Sequence, residues 1–204
     1  MKKNVFFILV LILFAGSHKT DIKHDNKKLK ELIANAPIID ISSRSFSIDD
    51  ILDKDKKIVD SLSFIDIYQV DSLINKSSGY YLESPVYIIG KVIKSNYDIL
   101  ITMRNYGYWF LTLDMLTYNK QGVLKGFVFL AVYGGDDYRT YDSNGYFVNN
   151  KYFLTEEVKD VEGEFREAKY INCTRTNIEY LIEDNGEIVI VNKNVEKIDC
   201  PSFE

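Results

Sequence analysis

The sequence predicts an α+β fold that is mainly antiparallel β. The expected form is an up-and-down β-meander (a curved sheet, a sandwich or a barrel-like closure) with helices ahead of it. Three observations carry this prediction. Apolar residues recur at helical spacing before Leu62 and fall into strand-like runs after Val86. Fifteen Tyr and twelve Phe stand against three Pro, an enrichment that suits a pleated surface. Glycine-bearing turn signals separate the runs.

The chain divides into residues 1–17, 18–84 and 85–204. The first part reads as an export signal: Met1-Lys2-Lys3-Asn4, then an unbroken apolar run from Val5 to Phe14. That run is far shorter than the roughly 20 residues of a membrane-spanning helix, and charge returns at Lys19. Cleavage is expected after Ala15-Gly16-Ser17, before His18, and an uncleaved anchor is the alternative. The expected location is therefore the periplasm, the cell surface or the medium. A lipoprotein signal would end Ala-Gly-Cys, whereas Ser17 has no thiol to carry a lipid. A soluble protein and a serine-substituted lipoprotein both remain open.

Without the signal, the chain has 23 basic and 30 acidic residues, a formal charge of −7. An acidic chain with no basic cluster suits neither nucleic acid nor an anionic membrane surface. In an oxidising compartment the two cysteines, Cys173 and Cys200, are expected to form a disulfide.

Between Asp25 and Leu62 the pattern is helical. Leu29, Leu32 and Ile33 share a face until Pro37, and Ser47 with Asp50 opens a second helix carrying Ile48, Ile51, Leu52, Ile58, Val59 and Leu62. Residues 63–75 fit no single pattern, and 76–84 read as a polar loop ending at Pro85. Strands are then predicted at Val86–Lys94, Tyr97–Arg104, Tyr108–Asn119, Val123–Tyr133, Tyr146–Leu154, Phe165–Cys173, Asn177–Ile182 and Glu187–Asn192. Asp184-Asn185-Gly186 is the strongest hairpin signal. A loose repeat sets Tyr118–Gly122 beside Tyr141–Gly145, with Gly163 and Gly186 continuing the series. The run Val123–Tyr133 is apolar on both faces, so both should be covered, one by the N-terminal helices.

Tyr87–Val92, the turn Thr117–Gly122 and the lipoprotein-like signal together resemble uncharacterised exported proteins and lipoproteins of Bacteroidota-type bacteria. The resemblance covers mainly residues 86–194. It implies an envelope location and brings no catalytic residue with it.

The chemistry is limited by what the chain lacks. His18 and His24 are the only histidines, and both precede the expected folded domain. Nucleophiles that need a histidine base, and zinc or copper sites built on imidazole, have no support there. No nucleotide-cradling glycine motif occurs, and no cofactor is expected. Carboxylates remain. Gly134 to Gly145 reads as a loop gathering Asp136, Asp137 and Asp142 around Arg139, a set able to bind Ca²⁺ or supply a raised-pKa acid. A plain solvated loop with Arg139 paired to a carboxylate is the favoured reading of these residues, and no metal is expected. A second candidate is the aromatic cluster Tyr106, Tyr108 and Trp109. Trp109 lines up with Leu111, Leu113 and Met115 as core, while Tyr108 and Phe110 share a contact surface with Thr112 and Asp114.

The expected function is that of a non-enzymatic, exported cell-envelope binding protein with a protein or glycan partner. A carboxylate-dependent glycan hydrolase and a small-ligand-binding barrel are the alternatives.

Overall fold

The computed structural model describes residues 26–42, 44–47, 57–59, 67–68, 86–105, 110–136, 138–163 and 168–202. The signal segment with His18 and His24, the cluster Tyr106–Trp109 and Asp137 lie outside the described residues.

Helix α1 (Asn26–Asn35) presents Leu29, Leu32 and Ile33 on one stripe, and Leu29 is buried. Pro37 follows its end, where Ala36 N donates to Leu32 O at 3.0 Å. Lys91, itself buried, donates to the carbonyl of Ala34 at 2.6 Å and places a cation on the helix C-terminus.

Ten strands follow: β1 (Ser45–Phe46), β2 (Lys57–Val59), β3 (Val86–Ile93), β4 (Tyr97–Asn105), β5 (Phe110–Asn119), β6 (Leu124–Asp136), β7 (Arg139–Val148), β8 (Lys151–Glu162), β9 (Lys169–Ile182) and β10 (Ile188–Lys197). Strands β2 to β10 lie side by side in chain order, all antiparallel, and β1 pairs with β7. This is the predicted meander, and its ladder is not closed into a barrel.

The sheet curls around one apolar core. Ile99, Ile101 and Met103 of β4, Leu113 and Met115 of β5, and Leu130 of β6 meet Phe147, Tyr152 and Leu154 from β7 and β8, with Phe46 between. The last hairpin returns to the first strands: Thr117 Oγ1 donates to Gly186 O, and Ile188 lies against Gly126. The curl splays the ladder, because β6 and β7 pair only from Val132–Asp136 to Arg139–Ser143. Beyond that point side chains take over the bonding. Ser143 Oγ accepts from Val132 N at 2.7 Å, and Tyr152 OH donates to Leu130 O. Strand β1 then occupies the edge of β7 that β6 has left.

The outward face of β3–β6 is covered. Leu29, Ala36, Ile67 and Tyr68 bury Val86, Ile88, Leu100, Leu116 and Tyr118. Covering by a helix was expected, and helix α1 supplies it together with Ile67 and Tyr68, which are themselves helical. Lys57–Val59, within the predicted helix from Ser47 to Leu62, is an edge strand paired with Val86–Ile88. Ile58 and Val59 are β-branched, which lowers their helix propensity and suits them to a pleated strand. Residues 48–56 and 60–62 lie outside the described set.

Three other expectations are corrected. The segment Gly134–Gly145 is a hairpin, since β6 runs through both glycines to Asp136 and β7 resumes at Arg139. The predicted strand Tyr146–Leu154 contains the β7–β8 turn, where Asn149 holds φ 59°. The predicted strand Phe165–Cys173, from Lys169 on, and the predicted strand Asn177–Ile182 are one strand, β9, whose alternation is broken by Asn172 at φ 50°; residues 165–167 lie outside the described set. Of the four repeat glycines, Gly122, Gly163 and Gly186 have positive φ. Gly145 instead sits within β7, where a Cβ would meet the Tyr152 hydroxyl and the Phe153 carbonyl.

Cys173 and Cys200 form the expected disulfide, with Cα atoms 5.3 Å apart, tying the segment after β10 to β9. No helix among the described residues is long and apolar enough to cross a membrane.

Candidate functional site

Of the carboxylates singled out in the sequence, Asp142 is the one whose side chain is described, and Asp136 is placed by its backbone alone. Asp136 is the register partner of Arg139, and Asp142 is three residues further along β7, beside Tyr133 and Glu157. An odd step along a strand reverses the face, so Arg139 and Asp142 point to opposite sides of the sheet. Arg139 Nε donates to Asp160 Oδ1 at 2.7 Å, and that bond raises the arginine's pKa further. Among the described residues, no group of three His, Cys, Asp or Glu side chains is arranged to hold a metal ion.

Two polar arrangements stand out instead, one buried and one open. The buried one lies beneath Tyr68. Asp114 pairs in register with Thr102, and Thr112 with Arg104, so two neighbouring rungs put four polar side chains on the covered face. Arg104 Nε donates to Asp114 Oδ2, and Tyr68 OH donates to the same oxygen at 2.6 Å while meeting Thr102 Oγ1 at 2.6 Å. The Arg104 guanidinium lies 4.6 Å from the Tyr68 ring centre. Burial, then the Asp114 charge, push the Tyr68 hydroxyl well above the usual tyrosine range. Asp114 and Thr112 are wholly buried, which corrects their expected place on a contact surface. A cation and a hydroxyl both serve Asp114 Oδ2, which offsets the cost of burying the carboxylate, while Asp114 Oδ1 and Thr112 Oγ1 are buried with no hydrogen-bond partner among the described residues. The network pins Tyr68 to the sheet. It opens onto no solvent-accessible face, and its chemistry is that of a structural clamp.

The open arrangement covers the outward face of β7–β10, over which no described element packs. Register sets it out in parallel rows across the strands. One row is Ser45–Tyr146–Phe153–Glu179–Asn192, the next Asn144–Thr155–Asn177–Asn194, and the third Asp142–Glu157–Arg175–Glu196. Tyr146 and Phe153 stack with ring centres 5.2 Å apart and planes 17° from parallel. Tyr146 remains 50% exposed, because its other neighbour in the row is the small Ser45. Thr155 Oγ1 donates to Asn177 Oδ1 at 3.0 Å.

The charges on this face are interlocked. Arg175 donates to Glu157 Oε1 through Nη2 at 2.7 Å and Nε at 3.1 Å, and its Nη1 lies 3.8 Å from Glu196. Lys159 reaches Glu157 at 3.4 Å, and Lys151 bonds Glu179 at 2.6 Å. The Arg175 hydrogen bond holds the Glu157 carboxyl below the usual range. On the opposite, core-side face, Glu156 behaves otherwise. Burial raises its pKa against the opposing pull of Lys193, and burial with the Glu156 charge lifts Tyr180 to about 12.

Asp142 is thus the one described residue of the sequence-based candidates that belongs to the open face. Tyr146, Phe153, Asn144, Asn177, Glu157 and Arg175 were missed. Their signal was present: the alternation in Asp142–Tyr146, Phe153–Glu157 and Arg175–Glu179 sets one polar or aromatic side chain on the same face at every second residue. No family model matches the chain, and no curated protein or solved structure matches it either.

Proposed function

We propose that the protein is a non-enzymatic, exported binding module of the cell envelope whose partner is a protein or a glycan. The observation that carries this reading is the outward face of β7–β10, over which no described element packs and which combines a stacked aromatic pair with ordered amide and charge rows. Folded proteins ordinarily cover an aromatic stack or place it where it makes contact. The export signal read at Met1–Ser17 and the Cys173–Cys200 disulfide support an oxidising, extracytoplasmic setting. The test is co-purification from the native envelope together with a glycan array. Retention of one protein at fixed stoichiometry, or of one glycan class, is the expected result. Turnover of a glycan that is lost in Asp136→Asn or Asp137→Asn would overturn it in favour of hydrolysis.

A further inference from the structure

We infer that the outward face of β7–β10 binds an uncharged polysaccharide, laid across the strands with a sugar ring stacked on Tyr146. The inference rests on the binding reading above and names its ligand class. Three features of the face select that chemistry.

The first is the aromatic platform. A pyranose has an apolar ring face and a polar edge, so it needs a flat aromatic surface with hydrogen-bonding groups at one side. Tyr146 supplies the surface: Phe153 backs one side of its ring, its register neighbour on the other side is the small Ser45, and half of the residue is exposed. The second is the amide row, which runs parallel to the platform, two residues away along each strand or about 7 Å. Asn177 uses its Oδ1 on Thr155, which turns the Nδ2 donors to solvent. The amides of Asn144 and Asn194 make no hydrogen bond to other described residues, so each offers two donors and an acceptor.

The third is charge. Lys151, Lys159 and Arg175 are each paired to Glu157, Glu179 or Glu196 on the same face. With Asp142 the face holds four carboxylates against three cations, so it is nearly balanced, with the signs interleaved and no block of one sign to attract a polyanion or polycation, and the complement of such a surface is a neutral ligand. A protein partner fits less well. Interface cores are depleted of charge, whereas here charged and amide rows run beside a narrow aromatic strip.

Calorimetric titration of the full chain tests this directly, with neutral cello-, laminari- and manno-oligosaccharides beside acidic oligogalacturonate. At least one neutral series should bind, with an affinity unaffected by added salt and at least about tenfold above that for oligogalacturonate. Tyr146→Ala and Asn177→Ala should each weaken binding by about tenfold with little change in thermal midpoint, and Tyr146→Phe should retain it. Failure of every neutral series, or unchanged affinity in Tyr146→Ala, overturns the inference. If an envelope protein is retained while no oligosaccharide binds, the glycan inference falls and the binding reading stands. If nothing is retained and nothing binds, both fall.

Discussion

Strands β3–β6 and β7–β10 belong to one ladder and share one core, but their outward faces differ in almost every respect. On β3–β6, helix α1 and the residues Ile67 and Tyr68 lie over the sheet, and beneath them Arg104, Asp114 and Thr102 are buried and bonded to one another or to Tyr68. On β7–β10 no described element covers the sheet, and equally polar side chains stay in solvent, paired across strands. The same residue types therefore have different worth. Coulombic attraction grows as water is excluded, and so does the penalty for a charge that loses its partner. The difference teaches that polarity in a strand does not mark its surface. What lies over the strand does.

The largest expected effect comes from breaking the covered network on one side. Arg104→Met leaves the Asp114 carboxylate buried without its cation and should cost about 3–5 kcal/mol in urea unfolding. Adding Asp114→Leu should recover most of that loss, because two apolar side chains replace a buried pair at little cost. Equal destabilisation of the single and double variants would mean that Asp114 does not depend on Arg104. Next is the disulfide that ties the end of the open half to β9. With Cys173 and Cys200 separated by 27 positions in sequence, replacing both with serine should cost about 3 kcal/mol.

Smaller again is the effect at the splay that joins the two halves. Tyr152→Phe removes the hydroxyl that serves the Leu130 carbonyl and should cost about 1–3 kcal/mol, measured by denaturant midpoint. On the open face the same kind of cut should barely register. Arg175→Ala breaks the bonds to Glu157, yet its pairs are solvent-exposed and screened, and the denaturant midpoint should move less than for any of the cuts above.

The smallest effect is a pH dependence on the core-side face. Burial raises the Glu156 pKa, so its ionised form costs stability above that raised value, and the cost disappears as pH falls towards 4.5. Glu156→Gln should therefore be the more stable form at neutral pH by on the order of half a kcal/mol, the gap closing on acidification. A gap that widens on acidification would assign Glu156 a favourable partner.

The sequence made the core and the meander legible, and the reason is periodicity. Ile99, Ile101, Leu113 and Met115 alternate as a half-buried strand must, and Asp184-Asn185-Gly186 allows little but a hairpin. The N-terminal stripe of Leu29, Leu32 and Ile33 was equally plain. Three things were hidden. Long-range pairing decided Lys57–Val59, and no local signal shows that Val86–Ile88 waits beside it. Gly145 looked like a turn residue because glycine serves close approach and positive φ alike. Asp114 looked like surface because Arg104 comes from the neighbouring strand and Tyr68 from 46 residues upstream. The open face was half visible: alternation marked its residues, but only the register of four strands aligns Tyr146 with Phe153 and Asn144 with Asn177.

Carbodiimide footprinting of carboxylates, read by mass spectrometry on the protein alone and mixed with native envelope extract, tests the contrast between the two faces most directly. In the protein alone, Glu157, Glu179 and Glu196 should label and Asp114 should not. With extract, those three should lose label while Glu183 and Asp199, at the turn and tail, keep it. Labelling of Asp114 in the folded protein, or protection that spares Glu157, Glu179 and Glu196, would contradict the account.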